Sequence, residues 1–267
     1  MGVIFQDSYS LPGSDQPLTH ARIGHSGNWY SGTPTASGTA TGYFEDAPDV
    51  SLTYEKWKPD AIPATWENDL GSSVTVDYCA IAGHTLGTNG CTIKVQYWDG
   101  ADWADLTPAT AIADDMPIFC IFAPTAAQRF RVNITAGTAE PEIAVIKFGQ
   151  ALQMTRALYG GHTPIALARQ TILRSNQSET GENLGRTKQR VMYGSSLSWS
   201  NLDADWVRTN WPPLQRAIEA EAFFLAWRPI TFSEVAYCQT DSIPAPSNMG
   251  VRNLMSVEMQ VRALGYD

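Results

Sequence analysis

The 267-residue sequence contains no G-x-S-x-G, H-E-x-x-H, G-x-x-x-x-G-K or G-x-G-x-x-G run. It therefore lacks the short signatures of a serine nucleophile on a sharp turn, a zinc peptidase helix, a phosphate-cradling loop and a dinucleotide fold. Cysteine is scarce: Cys79, Cys91, Cys120 and Cys238 are far apart, with no C-x-x-C pair and no histidine at ligand spacing. That argues against a zinc knuckle or a disulfide framework and predicts buried thiols. No apolar run approaches the roughly 18 to 20 residues that cross a bilayer, so no membrane insertion is expected. Basic charge is also short, with 18 Lys and Arg against 27 Asp and Glu, a net charge of −9 and a pI near 4.9. General binding to nucleic acid, which depends on neutralising phosphates, is excluded on that balance. Residues 1 to 7, M-G-V-I-F-Q-D, have neither the basic start nor the long apolar core of a signal peptide, which predicts folding in the cytoplasm where the chain is made.

The four histidines, His20, His25, His84 and His162, are the remaining place to seek a base or ligand. His84 in A-G-H-T-L-G and His162 in G-G-H-T-P sit in glycine-bounded turns, where a structural hydrogen bond is the simpler role. The pairs Asp114-Asp115 and Asp203/Asp205 invite a glycosidase reading, since two carboxylates at the right separation can cleave a sugar linkage. The first pair reads as a turn before Met116-Pro117, and the second as a helix start. No catalytic residue, metal site or cofactor is predicted, and the chain is expected not to be an enzyme.

What is present is β patterning. Val74, Val76 and Tyr78 alternate with polar residues, as do Ile93, Val95 and Tyr97, and Phe130, Val132 and Ile134. Each set reads as a strand with one face in a core and one in water. Trp98-Asp99-Gly100-Ala101-Asp102-Trp103 supplies the Asp-Gly signal of a hairpin. Residues 7 to 65 are rich in Gly, Ser, Thr and Pro, yet Trp29, Tyr30, Tyr43, Phe44, Tyr54 and Trp57 lie among them. That many aromatics predicts packed loops and short strands rather than disorder.

Charge divides the chain: residues 1–150 carry 17 acidic and 7 basic side chains, residues 151–267 carry 10 and 11. Two domains with that boundary are predicted. In the second, Arg169, Arg174, Arg186, Lys188 and Arg190 concentrate positive charge, interleaved with Glu179 and Glu182. A solvated hairpin or subunit contact is favoured there over nucleic-acid binding. Val191 to Trp199 predicts a strand, broken or bulged at Gly194. A helical region around 203–222 starts at an Asp203 cap and is predicted to break at Pro212-Pro213, with Leu214, Ala217, Ile218 and Ala222 as the apolar stripe of its second part. Strands follow at 223–227 and 233–239, and Met255, Val257, Met259, Val261 and Ala263 alternate strictly in a last one.

Two resemblances follow from these residues. The order T-W-E-N-D-L-G, V-Q-Y-W-D-G-A-D-W, F-A-P-T-A-A-Q-R-F-R-V-N-I and I-A-V-I-K-F-G resembles a discoidin-type, galactose-binding-like jelly roll over roughly residues 20–150. Such domains bind sugars, lipids or proteins through loops at one end of the sandwich. The resemblance thus makes Trp29, Tyr30, Tyr43, Phe44 and Trp57 candidate stacking platforms for a ligand, against the alternative that they belong to the core. The runs Y-G-G-H-T-P-I, F-F-L-A-W-R-P, E-V-A-Y and P-S-N-M-G-V-R-N-L-M-S-V resemble distal tail or tail-tip proteins of long-tailed bacteriophages. That likeness implies a tail-tube-like β-sandwich or barrel with a flanking helix, assembled as a ring. A hexamer is favoured and a trimer is the alternative.

The resulting expectation is a mainly β structural virion protein at the tail tip, assembled in the host cytoplasm. Its partners are further copies of itself, tail-tube and other tail-tip proteins, and a host surface glycan if the first domain binds one. This chain departs from the usual order by placing the sandwich before the tube-like part. The alternative is a carbohydrate-binding adhesin recognising host glycans, with a glycan-cleaving enzyme third.

Overall fold

The computed structural model describes residues 2–250 and 252–264. Met1 of the N-terminal stretch and Val251 of the P-S-N-M-G-V-R run lie outside them. The chain is mainly β, in the order β1 Val3–Phe5, β2 Arg22–Gly24, β3 Thr33–Ala36, β4 Ala64–His84, β5 Thr92–Trp98, β6 Trp103–Asp105, β7 Thr110–Ala111, β8 Ile118–Ala136, β9 Ile143–Gly149, β10 Leu152–Gln153, β11 Arg169–Gln177, β12 Asn183–Asp203, α1 Ala204–Ala220, β13 Phe223–Ala226, β14 Val235–Gln239, β15 Ser247–Asn248 and β16 Leu254–Leu264. Two sheets hold these strands, antiparallel throughout except where β1 runs parallel to β8.

The first sheet folds over on itself. Residues 64–69 of β4 pair with β3 and with residues 129–134 of β8, which also pairs with β5, while residues 74–84 pair with the start of β8 and with β9. Between these halves the register shifts from Asp69 to Val74, and Gly71 takes a φ of +73° that other residues resist. The two halves face each other across one core: Trp66, Phe130, Val132, Ile93 and Val95 from one layer meet Val76, Cys79, Ile81, Phe122, Ile146 and Phe148 from the other. The hairpin at residues 98–103 forms as its Asp-Gly signal suggests, with Trp98 opposite Trp103 and the Asp99 carboxylate accepting from the amides of Ala101 and Asp102.

The inner layer is buried on both sides, which explains its nearly continuous apolar runs. Tyr78, Ala80, Phe119, Ile121 and Val145 point away from the sandwich core and pack on Phe224, Ala226, Val235 and Tyr237 of the second sheet. The approach is close: a Cβ on Gly24 would sit 2.6 Å from the Tyr78 hydroxyl, so only glycine fits there. The opposite face of the second sheet, with Ile23, Leu225, Trp199, Met259 and Val261, packs on α1. Four layers result: two from the folded first sheet, then the second sheet, then the helix.

The second sheet runs β10-β2-β13-β14-β16-β12-β11. It takes β2 from the N-terminal part of the chain, so the sheets do not divide at residue 150 as the charge balance suggests. Arg22, Ile23 and Gly24 are all buried, and they satisfy the edge of β13 that would otherwise be open. Helix α1 begins at the predicted cap, where the Asp203 carboxylate accepts from the amides of Asp205 and Trp206. The predicted break at the prolines does not occur: Pro212 and Pro213 lie inside one helix. Each removes a backbone hydrogen bond, and burial of Val207, Trp211, Leu214 and Ile218 on either side of them outweighs that loss. Gly194 pairs in regular register with Arg262, and the irregularity of β12 falls instead between Trp199 and Leu202, where Asn201 adopts a φ of +60°. Asparagine tolerates that conformation better than most residues.

Candidate functional site

The five aromatic side chains predicted to form a stacking platform do not converge. Trp57 is fully buried and its Nε1 donates to the carbonyl of Gly38, 3.1 Å away, so it is a core residue. Trp29 is wedged between the sheets, edge-on to Phe224 at 6.4 Å with the Lys147 ammonium 5.0 Å from its ring centroid. Tyr30 packs against the sandwich core and donates to Gln150 Oε1. Tyr43 is half-buried, donating to Glu142 Oε1 at 2.7 Å, and only Phe44, 56% exposed, presents a free face. The loop-rich composition around these residues hid the fact that Trp57 and Tyr30 belong with the sandwich core and Trp29 with the junction of the sheets.

Lys147 is a buried cation beside Trp29. Its ammonium donates to the carbonyl of Asp49 and lies 4.0 Å from the Asp49 carboxylate. Burial lowers the Lys147 pKa while Asp49 opposes the shift, and burial raises that of Asp49 while Lys147 opposes it. The pair fastens the 47–51 turn onto β9, and Tyr237 of the second sheet donates to the carbonyl of Ser51 at 2.7 Å. Its role is to hold the two sheets together.

The solvent face of the outer layer carries a ladder that the sequence did not advertise. Trp98 and Trp103 meet edge to face at 5.5 Å, Arg131 lies 4.1 Å above Trp103, and Arg129 lies 5.2 Å from each ring. Arg129 is tied to Glu67 at 2.5 Å, Arg131 to Gln96 Oε1 at 2.8 Å, and Gln96 to Asp105 at 2.6 Å. The cations cover the indoles and pair with the neighbouring polar groups, an arrangement that shields the sheet rather than leaving a group poised for proton transfer.

Two of the histidines, His84 and His25, have structural roles. His84 Nε2 donates to the carbonyl of Met116 and its Nδ1 accepts from the amide of Leu86, which fixes a neutral ring, and burial lowers its pKa to about 4. His25, buried with its Nδ1 accepting from the Gly27 amide, is likewise lowered to about 4 by burial. All four cysteines are free and buried, and burial pushes the thiols of Cys91 and Cys120 up to about 11 and about 12. Among the described residues no group of three or more His, Cys, Asp or Glu side chains is placed to hold a metal ion. No helix there is long and apolar enough to cross a membrane.

A two-stranded arm extends from the second sheet. Beyond Tyr193, where β12 leaves β16, it pairs only with β11, from Arg169 opposite Tyr193 to Gln177 opposite Asn183. Every residue from Arg169 to Arg190 except Ser178 is exposed, including Ile172, Leu173 and Leu184. Nine residues of strand extend about 30 Å. The arm carries Arg169, Arg174, Arg186, Lys188 and Arg190 on a chain whose net charge is −9. An isolated two-stranded ribbon is marginally stable in water, and beyond Tyr193 this one pairs with no third strand among the described residues.

No family model and no curated protein matches this chain. Solved structures that resemble it include the family 32 carbohydrate-binding module of NanJ from C. perfringens in complex with galactose, at 18% identity over 43% of this chain and 91% of that one, TM-score 0.39. The carbohydrate-binding module of AlyQ in complex with 4,5-unsaturated mannuronic acid is 17% identical over 45% of this chain and 96% of that one, TM-score 0.40. SpGH29 is 20% identical over 46% of this chain and only 27% of its own length, TM-score 0.40.

Proposed function

We propose that the chain is a non-catalytic structural subunit that assembles with copies of itself through the arm formed by β11 and β12. The observation that carries this reading is the exposure of the whole ribbon, with basic residues on an acidic protein. Head-to-tail contact between the arm of one copy and the acidic body of the next gives a heterologous interface, which closes into a ring when the rotation allows. The resemblance of residues 159–257 to distal tail proteins sharpens the proposal to a ring at the tail tip of a long-tailed phage, hexameric or trimeric, in contact with tail-tube and tip proteins. The first sandwich is then a peripheral module on that ring. Sedimentation of the purified chain, with electron microscopy of the product, tests it. A closed oligomer is expected, and a protein that stays monomeric at high concentration contradicts it.

A second reading is glycan binding by the first sandwich, the reading that the carbohydrate-binding modules among the similar structures bring to this chain. On the chain itself it is favoured by the loop that exposes Phe44 (56%) and Tyr54 (74%). Such exposed rings are suited to stack on a sugar. Saccharide titration of the wild type and of Phe44→Ala tests it: saturable binding lost in the variant supports it, and binding indifferent to Phe44 removes it.

A further inference from the structure

We infer a second, separate saccharide site on the second sheet, in the cavity between the 157–164 loop and the turn that follows β13. This inference is independent of how the chain assembles. The cavity has a volume of about 360 Å³ and is lined by Leu158, His162, Pro164, Trp227, Arg228 and Phe232, among others. That is the size range of small-ligand sites.

Its wall is aromatic. Trp227 and Phe232 stack at 4.9 Å with their planes 14° apart, His162 stands edge-on to Trp227 at 4.8 Å, and Phe232 remains 40% exposed. A partly open ring at a cavity mouth offers the flat apolar face on which the C–H side of a pyranose rests.

Its polar groups are incomplete. The Nε2 of His162 and the Nε of Arg228 are buried and have no hydrogen-bond partner among the described residues. Buried polar atoms without partners are rare and costly, so two on residues that line one cavity need an explanation. His162 Nδ1 faces the carbonyl of Tyr159 at 3.2 Å. A carbonyl only accepts, so Nδ1 carries the hydrogen, and in the uncharged ring Nε2 is left as an acceptor. Arg228 Nε is a donor. One acceptor and one donor beside an aromatic face match adjacent hydroxyl groups, each of which both donates and accepts.

Other ligand classes fit less well. A purely apolar occupant leaves both polar atoms unpaired. A carboxylate cannot donate to Nε2, and it meets the nearby Glu234, whose carboxylate accepts from Trp227 Nε1 at 2.7 Å. A second cavity with two orphaned atoms, Arg22 Nη1 and Tyr78 Oη, has only about 10 Å³, room for about one water molecule.

The test is titration of the full chain, in whatever oligomeric state it adopts, with methyl β-D-galactopyranoside, methyl β-D-glucopyranoside and N-acetyl-D-glucosamine, followed by calorimetry or ligand-observed NMR. At least one of them is expected to bind saturably, with affinity weakened about tenfold or more by Phe232→Ala and by His162→Phe, a change of about 1.4 kcal/mol. Circular dichroism and sedimentation check each variant. If Phe232→Ala does not fold, His162→Phe decides alone, since it keeps the ring and removes only the nitrogens. The inference is overturned if none of the three sugars binds, if both variants bind like the wild type, or if binding disappears in Phe44→Ala while surviving His162→Phe. Because assembly is read separately by sedimentation, failure here leaves the proposed ring to stand or fall on its own measurement.

Discussion

Two pairs of long strands in this protein meet opposite fates. β4 and β8 run 21 and 19 residues, and the chain bends both through a register shift so that each half enters a different layer of one sandwich. β12 is also 21 residues long, but it runs on past its sheet and takes β11 with it into solvent. The difference lies in the side chains. The second half of β4 offers Val76, Tyr78, Cys79, Ala80, Ile81 and Ala82 to cores on both faces, whereas Asn183 to Arg190 offers none. Strand length is therefore no measure of burial. The proposed assembly gives such a ribbon a surface to pair with.

The contrast can be broken most forcefully in the sandwich. Phe130→Ala empties a fully buried position between the layers and is expected to cost about 3–5 kcal/mol, while Leu184→Ala on the arm is expected to change monomer stability by less than about 0.5 kcal/mol. Urea unfolding under conditions that keep the chain monomeric reads both, and similar losses at the two sites would mean that the arm packs on its own body. A smaller effect belongs to the helix that backs the second sheet. Asp203→Ala removes the side chain that caps α1 and is expected to lower stability by about 1 kcal/mol, with Asp203→Asn retaining most of it.

The pH dependence sharpens the comparison at the junction of the sheets. Burial, reinforced by Asp15, raises the Asp77 pKa to about 7, although its carboxylate accepts from the Ala151 amide at 2.8 Å. The folded protein therefore holds that proton more tightly than the unfolded chain, and the associated stability is full below about pH 4 and is lost as pH rises toward 7. His25 and His84, lowered to about 4 by burial, act in the opposite sense: their contribution is present above the ordinary histidine range and is lost as pH falls toward 4. Asp77→Asn should leave the histidine slope alone, so that unfolding midpoints fall more steeply on acidification from pH 7 to 4 than in the wild type. An unchanged profile would mean that Asp77 stays ionised at the junction. The smallest expected signal is from the thiols: all four should resist iodoacetamide until the chain unfolds, because each is buried and uncharged.

Much of this architecture was legible in the residues. Alternation at Ile93–Tyr97, Phe130–Ile134 and Met255–Ala263 marked strands, and the Asp203 cap marked the helix. What escaped depended on contacts distant in sequence. Nothing in Arg22-Ile23-Gly24 announces that it pairs with Phe224 and its neighbours two hundred residues later. The prolines of α1 obeyed tertiary packing over local propensity, and the fold of β4 at Leu70–Ser73 has a glycine but no other local cue. The aromatic candidates rest on a resemblance and on residue type, and neither can tell a core ring from a platform: Trp57 is fully buried while Phe44 is exposed. The cavity under Trp227 left no local signal, because His162 and Phe232 are seventy residues apart, His162 reads singly as a turn, and Phe232 falls between two predicted strands.

The central claim is that the arm exists to bind another copy. The most direct test replaces residues 171–189 with a short Gly-Ser turn, restoring a closed edge at Tyr193, and measures mass by sedimentation beside the intact chain over the same concentration range. The account predicts a folded monomer for the shortened chain and a closed oligomer for the intact one. An oligomer that survives loss of the arm, or an intact chain that never associates, contradicts it.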